Sequence, residues 1–79
     1  MIVAAKIKLA DARAELRMSQ QGLAALASLS KQVIVNAEKG MAIQRISAHA
    51  ILRPLNHARQ INGMPPLSIT DIDWKIVGE

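Results

Sequence analysis

The sequence predicts an all-α fold: a compact domain of four to five helices that ends in a short irregular or single-strand tail. Apolar residues recur at helical spacing through most of the first 60 positions. Ser and Gly residues stand where such helices would begin and end. Hydrophobic residues make up 51% of the 79 residues, yet Trp74 is the only aromatic. We therefore expect a thin aliphatic core between closely packed helices.

The first helix is predicted over residues 5–17, where apolar and charged residues alternate at helical spacing. Four positions fall near one side: Ile7, Leu9 or Ala10, Arg13 or Ala14, and Leu16. Charged residues fill the rest: Lys6, Lys8, Asp11, Glu15 and Arg17. This pattern is typical of a helix with one buried face.

The second helix is predicted over about 20–27. Ser19 suits its N-cap, because a Ser hydroxyl can accept a hydrogen bond from an orphan amide of the first turn. Gly22, inside the helix, costs about 1 kcal/mol relative to Ala. The predicted buried stripe consists of Leu23, Ala24, Leu26 and Ala27.

Residues 28–30 are predicted to form a turn, with Ser30 as the cap of a third helix over about 31–38. Gly40 suits the left-handed position that ends many helices. The third helix contains three consecutive β-branched residues, which are poor helix formers. Packing of Ile34 against the other helices must therefore hold it together.

A loop over 41–45 and a fourth helix over about 46–60 are predicted next. Pro54 lacks a backbone donor, so we expect either a kink near 50–54 or a break into two short helices. Asn, Gly and Pro residues within 62–66 end the helical part.

We divide the chain into a helical domain, residues 1–62, and a tail, residues 63–79, that packs on the domain or contacts a dimer partner. Ser68 and Asp71 have the spacing of a capping box around a single turn. Apolar and polar residues alternate from 72 to 77, as in a short strand. Trp74 is expected to be a packing anchor, either over the domain's own apolar side or against a dimer partner.

Composition limits the function classes. A net charge of +4 and an isoelectric point of about 10.2 are typical of nucleic-acid binders, and also of ordinary basic surfaces. The chain has no Cys, no apolar run near the roughly 18 residues of a membrane span, and no secretory signal pattern. We expect a cytoplasmic protein that does not bind a membrane.

Catalysis and metal binding have little support. His49 and His57 are two helical turns apart but have no third ligand nearby in the sequence. Asp71 and Asp73 would point to opposite sides of a strand, which argues against a catalytic pair. We expect neither an enzyme nor a metal or other cofactor.

Residues 19–40 match the physical requirements of a helix-turn-helix. Ala24 and Ala27 allow two helices to cross closely, Leu29 is placed to plug the turn into the core, and Ile34 anchors the second helix of the motif. Such a helix presents its N-terminal residues to DNA base edges. The residues so placed are Lys31, Gln32, Val35 and Asn36.

This stretch resembles the phage repressor-like helix-turn-helix family of the XRE or Cro type. The matching positions are Met18-Ser19-Gln20, Leu23-Ala24, Ser28-Leu29-Ser30, Ile34 and Glu38-Lys39-Gly40. Residues 46–56 and 66–74 are similar to small cyanobacterial members. The resemblance implies a lambda repressor-like fold and a homodimeric regulator that binds double-stranded DNA. Two half-sites would lie about 34 Å apart.

The resemblance also implies roles for single residues. Arg13 would form a structural ion pair with Glu38, which ties the first helix to the end of the third. Lys31, Gln32, Val35 and Asn36 would face the major groove. The DNA phosphates would be contacted by Gln20, Ser30, Lys39 and Arg45.

The sequence departs from the family pattern in four places. Gly22 weakens the second helix, Ser28 stands where the family usually has Gly, Ala37 is small where a bulkier residue is common, and the third helix has no Arg, the commonest reader of guanine. The Arg-free, Val-rich third helix leaves an alternative open. Its polar residues would also suit an ordinary solvated helix face. The alternative is a protein-interaction module, or an antitoxin-like partner, that keeps the fold and grips another protein through its apolar tail.

Overall fold

The computed structural model describes residues 6–78, and this part of the chain is mostly helical. Residue 5 of the predicted first helix, residues 1–5 of the predicted domain and Glu79 of the tail lie outside that range. The helices are α1 (Leu9–Glu15), α2 (Gln20–Ala27), α3 (Lys31–Glu38) and α4 (Arg45–Ile61). A 3-10 turn (Ile69–Asp71) and four two-residue strands complete it: β1 (Ile7–Lys8), β2 (Ala42–Ile43), β3 (Ile72–Asp73) and β4 (Lys75–Ile76).

Helix α1 is shorter than predicted at both ends. The predicted helix is wrong over residues 6–8, because Ile7–Lys8 pairs as a parallel strand with Ile72–Asp73 of the tail and the helix begins at Leu9. The backbone then leaves the helix after Glu15, and Arg17 adopts a left-handed conformation with φ 57°. Leu9 and Ala12 form the buried face of the seven remaining residues.

The predicted bounds of α2 and α3 are confirmed. The Oγ of Ser19 accepts a hydrogen bond of 2.9 Å from the backbone N–H of Gly22, as expected of an N-cap. Ser30 has the extended backbone of an N-cap, but its hydroxyl makes no capping bond, so that part of the prediction is wrong. The predicted burial of Leu26 is also wrong: this residue is 63% exposed, because the buried face of α2 consists of Leu23, Ala24 and Ala27.

The segment after α3 differs from the predicted loop. Ala42–Ile43 forms β2 and pairs in parallel with β4. Helix α4 begins at Arg45 and runs unbroken through Pro54 to Ile61. Of the two expected outcomes at Pro54, a kink or a break into two short helices, the break is wrong. Buried residues on both sides of Pro54, including Ile51 and Leu55, pack into the same core and keep the helix continuous.

The tail belongs to the core. Leu67, Ile72, Trp74 and Ile76 are buried together with residues of all four helices. The predicted alternation is confirmed, since residues 72, 74 and 76 are buried while 73, 75 and 77 are exposed. The tail contains two strands instead of the single strand that the sequence predicts, and the capping box of Ser68 and Asp71 is confirmed.

Two side chains of α4 hold the start of the tail. The Asn56 amide donates to the Leu67 carbonyl and accepts from the Leu67 N–H, both at 2.8 Å. The Nε of Arg59 donates to the Pro65 carbonyl at 2.8 Å. Trp74 closes the tail by donating from Nε1 to the Ile69 carbonyl at 2.9 Å. The bonds made by Asn56 and by Trp74 therefore position the tail for its pairing with β1 and β2.

Within residues 6–78, no helix combines the length and the apolar content needed to cross a bilayer.

Candidate nucleic-acid interface

Helices α2 and α3 form a tightly packed pair. Ala24 and Ala27 are buried, which allows α2 to approach its neighbours closely. Ile34 and Ala37 are the buried residues of α3. Leu29, in the turn, is half-buried and packs against the core from its edge. These contacts determine which side of α3 faces outward.

The outward side of α3 is polar near its N-terminus. Lys31 and Gln32 are exposed, whereas Val35 and Asn36 are half-buried. The Nε2 of Gln32 donates to the Oδ1 of Asn36 at 2.8 Å. This bond uses one N–H of Gln32 and leaves the Gln32 carbonyl oxygen and the Asn36 NH2 group uninvolved. The two amides therefore form one oriented unit with both donor and acceptor capacity.

Arg13 and Glu38, which the resemblance pairs, form a bidentate ion pair. The Nε of Arg13 lies 2.8 Å from Oε2 of Glu38, and its Nη2 lies 3.3 Å from Oε1. The Nη1 of Arg13 also donates to the Met18 carbonyl at 2.8 Å. The side chains are 19% and 10% exposed, respectively. The pair ties α1 to the last residue of α3 and to the segment before α2.

Gln20 joins the same network. Its Nε2 donates to Oε1 of Glu38 at 2.9 Å, and its side chain is half-buried. The family resemblance implies a DNA-phosphate contact for Gln20, whereas the structure shows its bond to Glu38. An amide has two N–H groups, so the bond to Glu38 leaves one for a phosphate.

The other predicted phosphate contacts lie around α3. Ser30 precedes the helix and Lys39 follows it, and both are exposed. Gly40 then reverses the chain with φ 83°, which favours glycine over other residues. Arg45 is exposed at the first position of α4. In the sequence, one of these three residues therefore precedes α3 and the other two follow it.

Arg59 is a buried cation that sequence reasoning did not single out. It is 5% exposed, and its Nη1 lies 3.8 Å from the Glu15 carboxylate without a hydrogen-bond partner. Its spacing of four residues from Leu55, itself four from Ile51, places it on the buried face of α4. That spacing was the signal that could have found it.

The histidines and carboxylates of the described residues are not gathered into a metal-binding group. His49 and His57 are both exposed, and residues 6–78 contain no group of three His, Asp or Glu side chains that could hold a metal. The backbone N–H of Ser68, followed by its hydroxyl, lowers the pKa of Asp71 by donating to the carboxylate. That carboxylate therefore serves the capping box.

No family model, no curated protein and no solved structure matches the chain.

Proposed function

We propose that the protein is a sequence-specific DNA-binding transcriptional regulator of lambda repressor-like fold. The observation that carries the proposal is the outward side of α3, where Lys31, Gln32 and Asn36 are presented by a helix that α2 supports through a short turn. The major groove of B-DNA is about 12 Å wide and admits one α-helix. Helix α3 would lie in that groove with its N-terminal residues at the base edges.

The chemistry of α3 favours particular base contacts. Gln and Asn amides pair with the N6 and N7 groups of adenine, and Lys donates to the acceptors of guanine. Val35 is half-buried and offers an apolar contact for a thymine methyl group. Because Gln32 is bonded to Asn36, we expect the two residues to select neighbouring bases as one unit.

Phosphate contacts would supply most of the affinity. The proposed contacts are Gln20, Ser30, Lys39 and Arg45, on a chain with net charge +4. Each phosphate that a protein neutralises releases counterions, so binding should weaken steeply as salt rises.

We propose that the regulator is a homodimer that binds two half-sites about one helical turn apart. Large apolar side chains remain exposed among residues 6–78, and a second copy would cover some of them. They are Leu26, Met41, Ile46, Ile61 and Val77.

The alternative is a protein-interaction module or antitoxin-like partner with weak DNA binding. The sequence favoured it through the apolar tail, but four apolar residues of that tail pack in the protein's own core. None of the large, strongly exposed apolar side chains of the described residues lies on α3. Both observations favour the DNA-binding function over this alternative.

Fluorescence anisotropy with a labelled genomic DNA pool at two salt concentrations tests the proposal. We expect binding at low salt, a steep loss at high salt, and a loss of at least about 10-fold in the double variant Lys31→Ala/Gln32→Ala. The matched control is Arg53→Ala/Gln60→Ala, which also removes one basic residue and one Gln, from exposed positions of α4.

Binding that ignores salt, or that survives in the α3 variant, would rule out this mechanism. Co-purification with a protein partner, together with no binding to any pool, would decide for the interaction module.

A further inference from the structure

Three lysines from distant parts of the sequence meet at the C-terminal end of α3. Lys8 is the last residue of β1, Lys39 is the C-cap of α3, and Lys75 is the first residue of β4. All three are exposed, and all three line one open cleft of about 300 Å³. Glu38, Asp73 and the side of Trp74 also line it.

The short strand pairs create this juxtaposition. Pairing of β1 with β3 sets Lys8 opposite Asp73, and pairing of β2 with β4 sets Lys75 opposite Ala42. The buried Trp74 lies between the two tail strands and fixes the backbone on either side of it. The cleft is thus built on ordered backbone, although its lysine side chains reach solvent.

The charge of the cleft is positive. Of its two carboxylates, Glu38 is compensated by the bidentate contact with Arg13 and a hydrogen bond from Gln20. Asp73 is therefore the one uncompensated carboxylate among the lining residues, against the three lysines Lys8, Lys39 and Lys75. Like charges gathered at one place attract an anionic partner and concentrate it there.

The position of the cleft relative to α3 indicates which anion it meets. An eight-residue helix is about 12 Å long, which is close to the width of the major groove. When the N-terminal residues of α3 reach the bases, its C-terminal end comes to the edge of the groove, where phosphates run. The cleft begins at that end, with Glu38, Lys39 and Gly40.

We propose that Lys8 and Lys75 contact the DNA phosphate backbone beside Lys39, so that the cleft extends the DNA footprint beyond α2 and α3. The inference rests on the proposed function and adds a DNA-contacting role for the tail. Lys75 comes from the segment that the sequence assigned to packing or to a partner protein.

Salt titrations of DNA binding test the proposal with the double variant Lys8→Ala/Lys75→Ala. Each lost phosphate contact should reduce the slope of log affinity against log salt by about 0.9. We expect a weakening of about 10-fold at moderate salt that is the same for all duplex sequences. The double variant Lys8→Arg/Lys75→Arg keeps both charges and should bind like the unmodified protein.

The matched control is Arg53→Glu, which changes the net charge by the same two units at an exposed position of α4 outside the cleft. Circular dichroism of every variant verifies folding. The cleft proposal is wrong if Lys8→Ala/Lys75→Ala has the same salt slope and the same DNA affinity as Arg53→Glu. The proposed function stands in that case, provided that Lys31→Ala/Gln32→Ala abolishes binding. If the unmodified protein binds no duplex, both are wrong.

Discussion

Ser28 holds the turn between α2 and α3 in the left-handed region, with φ 58° and ψ 39°. A residue with a Cβ pays about 1 kcal/mol for this conformation, whereas Gly adopts it freely. We expect Ser28→Gly to raise the free energy of unfolding by about 0.5–1 kcal/mol, since the added freedom of the unfolded chain offsets part of the relief. Urea unfolding measures the change.

The control for this substitution is Ala25→Gly, three residues earlier at an exposed position inside α2. Gly in a helix interior should lower stability by about 1 kcal/mol. A gain in unfolding free energy for Ser28→Gly and a loss for Ala25→Gly would support backbone strain at Ser28. A loss in both variants would contradict it.

Arg13 makes three hydrogen bonds. Two of its nitrogens donate to the Glu38 carboxylate, and the third donates to the Met18 carbonyl. Arg13→Ala leaves a carboxylate that is 10% exposed without its cation. We expect a loss of about 2 kcal/mol in unfolding free energy, between the values of surface and fully buried pairs. Thermal and urea unfolding measure it.

The exposed Arg53→Ala serves as the control and should change stability by no more than about 0.5 kcal/mol. We also expect Arg13→Ala to affect DNA affinity less than folding when binding is measured where the variant is folded. Equal stability losses in the two variants would show that the ion pair contributes nothing.

At the scale of elements, Asn56 connects α4 to the tail by pairing both backbone groups of Leu67. Asn56→Ala leaves a backbone donor and a backbone acceptor unpaired beside a buried residue. We expect a loss of about 2 kcal/mol, and earlier hydrogen exchange of the tail amides. Asn62→Ala is the control, because it removes a side-chain bond to the Ala58 carbonyl that is exposed. If Asn56→Ala loses no more unfolding free energy than this control, the two bonds between Asn56 and Leu67 do not hold the tail to α4.

The turn at Ser68 should respond to acid through Asp71. Because hydrogen bonds from Ser68 lower its pKa below the usual 3.8, the charged carboxylate stabilises the fold above that value. This contribution is lost as pH falls through the lowered folded-state pKa. We expect Asp71→Asn to be less stable than the unmodified protein near neutral pH, with the difference shrinking below about pH 4. A difference that stays constant down to acid pH would contradict the role of the carboxylate.

The sequence predicted those elements that local patterns determine. Ser19 and Gly40 stand at helix boundaries, so the bounds of α2 and α3 followed from them. Strands β1 and β2 were missed, because parallel pairing between residues far apart in the sequence, Ile7 with Ile72 and Ala42 with Lys75, leaves no local pattern. The first of these pairings explains why α1 starts later than its periodicity indicates.

At the scale of the whole molecule, parallel strand pairing joins the tail to the segment before α1 and to the segment after α3. The tail pairs with β1 through Ile72 and with β2 through Ile76, and both residues are buried. A core with one aromatic residue gains apolar burial from these tail residues, which matters in a domain of only 79 residues. The tail therefore supports the position of α3 from its C-terminal side.

The candidate site contains residues that could be predicted from the sequence and contacts that could not. The outward positions Lys31 and Gln32 could be predicted from helical spacing and from the family resemblance, because they lie within one helix. The bond between Gln20 and Glu38 and the meeting of Lys8 with Lys75 depend on tertiary structure. No spacing in the sequence relates those residues, so only the folded chain brings them together.

Selection of bound duplexes from a random DNA pool tests most directly whether α3 reads bases. We predict that the protein enriches one motif, that Gln32→Ala and Asn36→Ala each alter the preference at the same neighbouring bases, and that Arg53→Ala leaves the motif unchanged. Enrichment of no motif, or of one that both α3 variants retain, would contradict the assignment of α3 as the recognition helix.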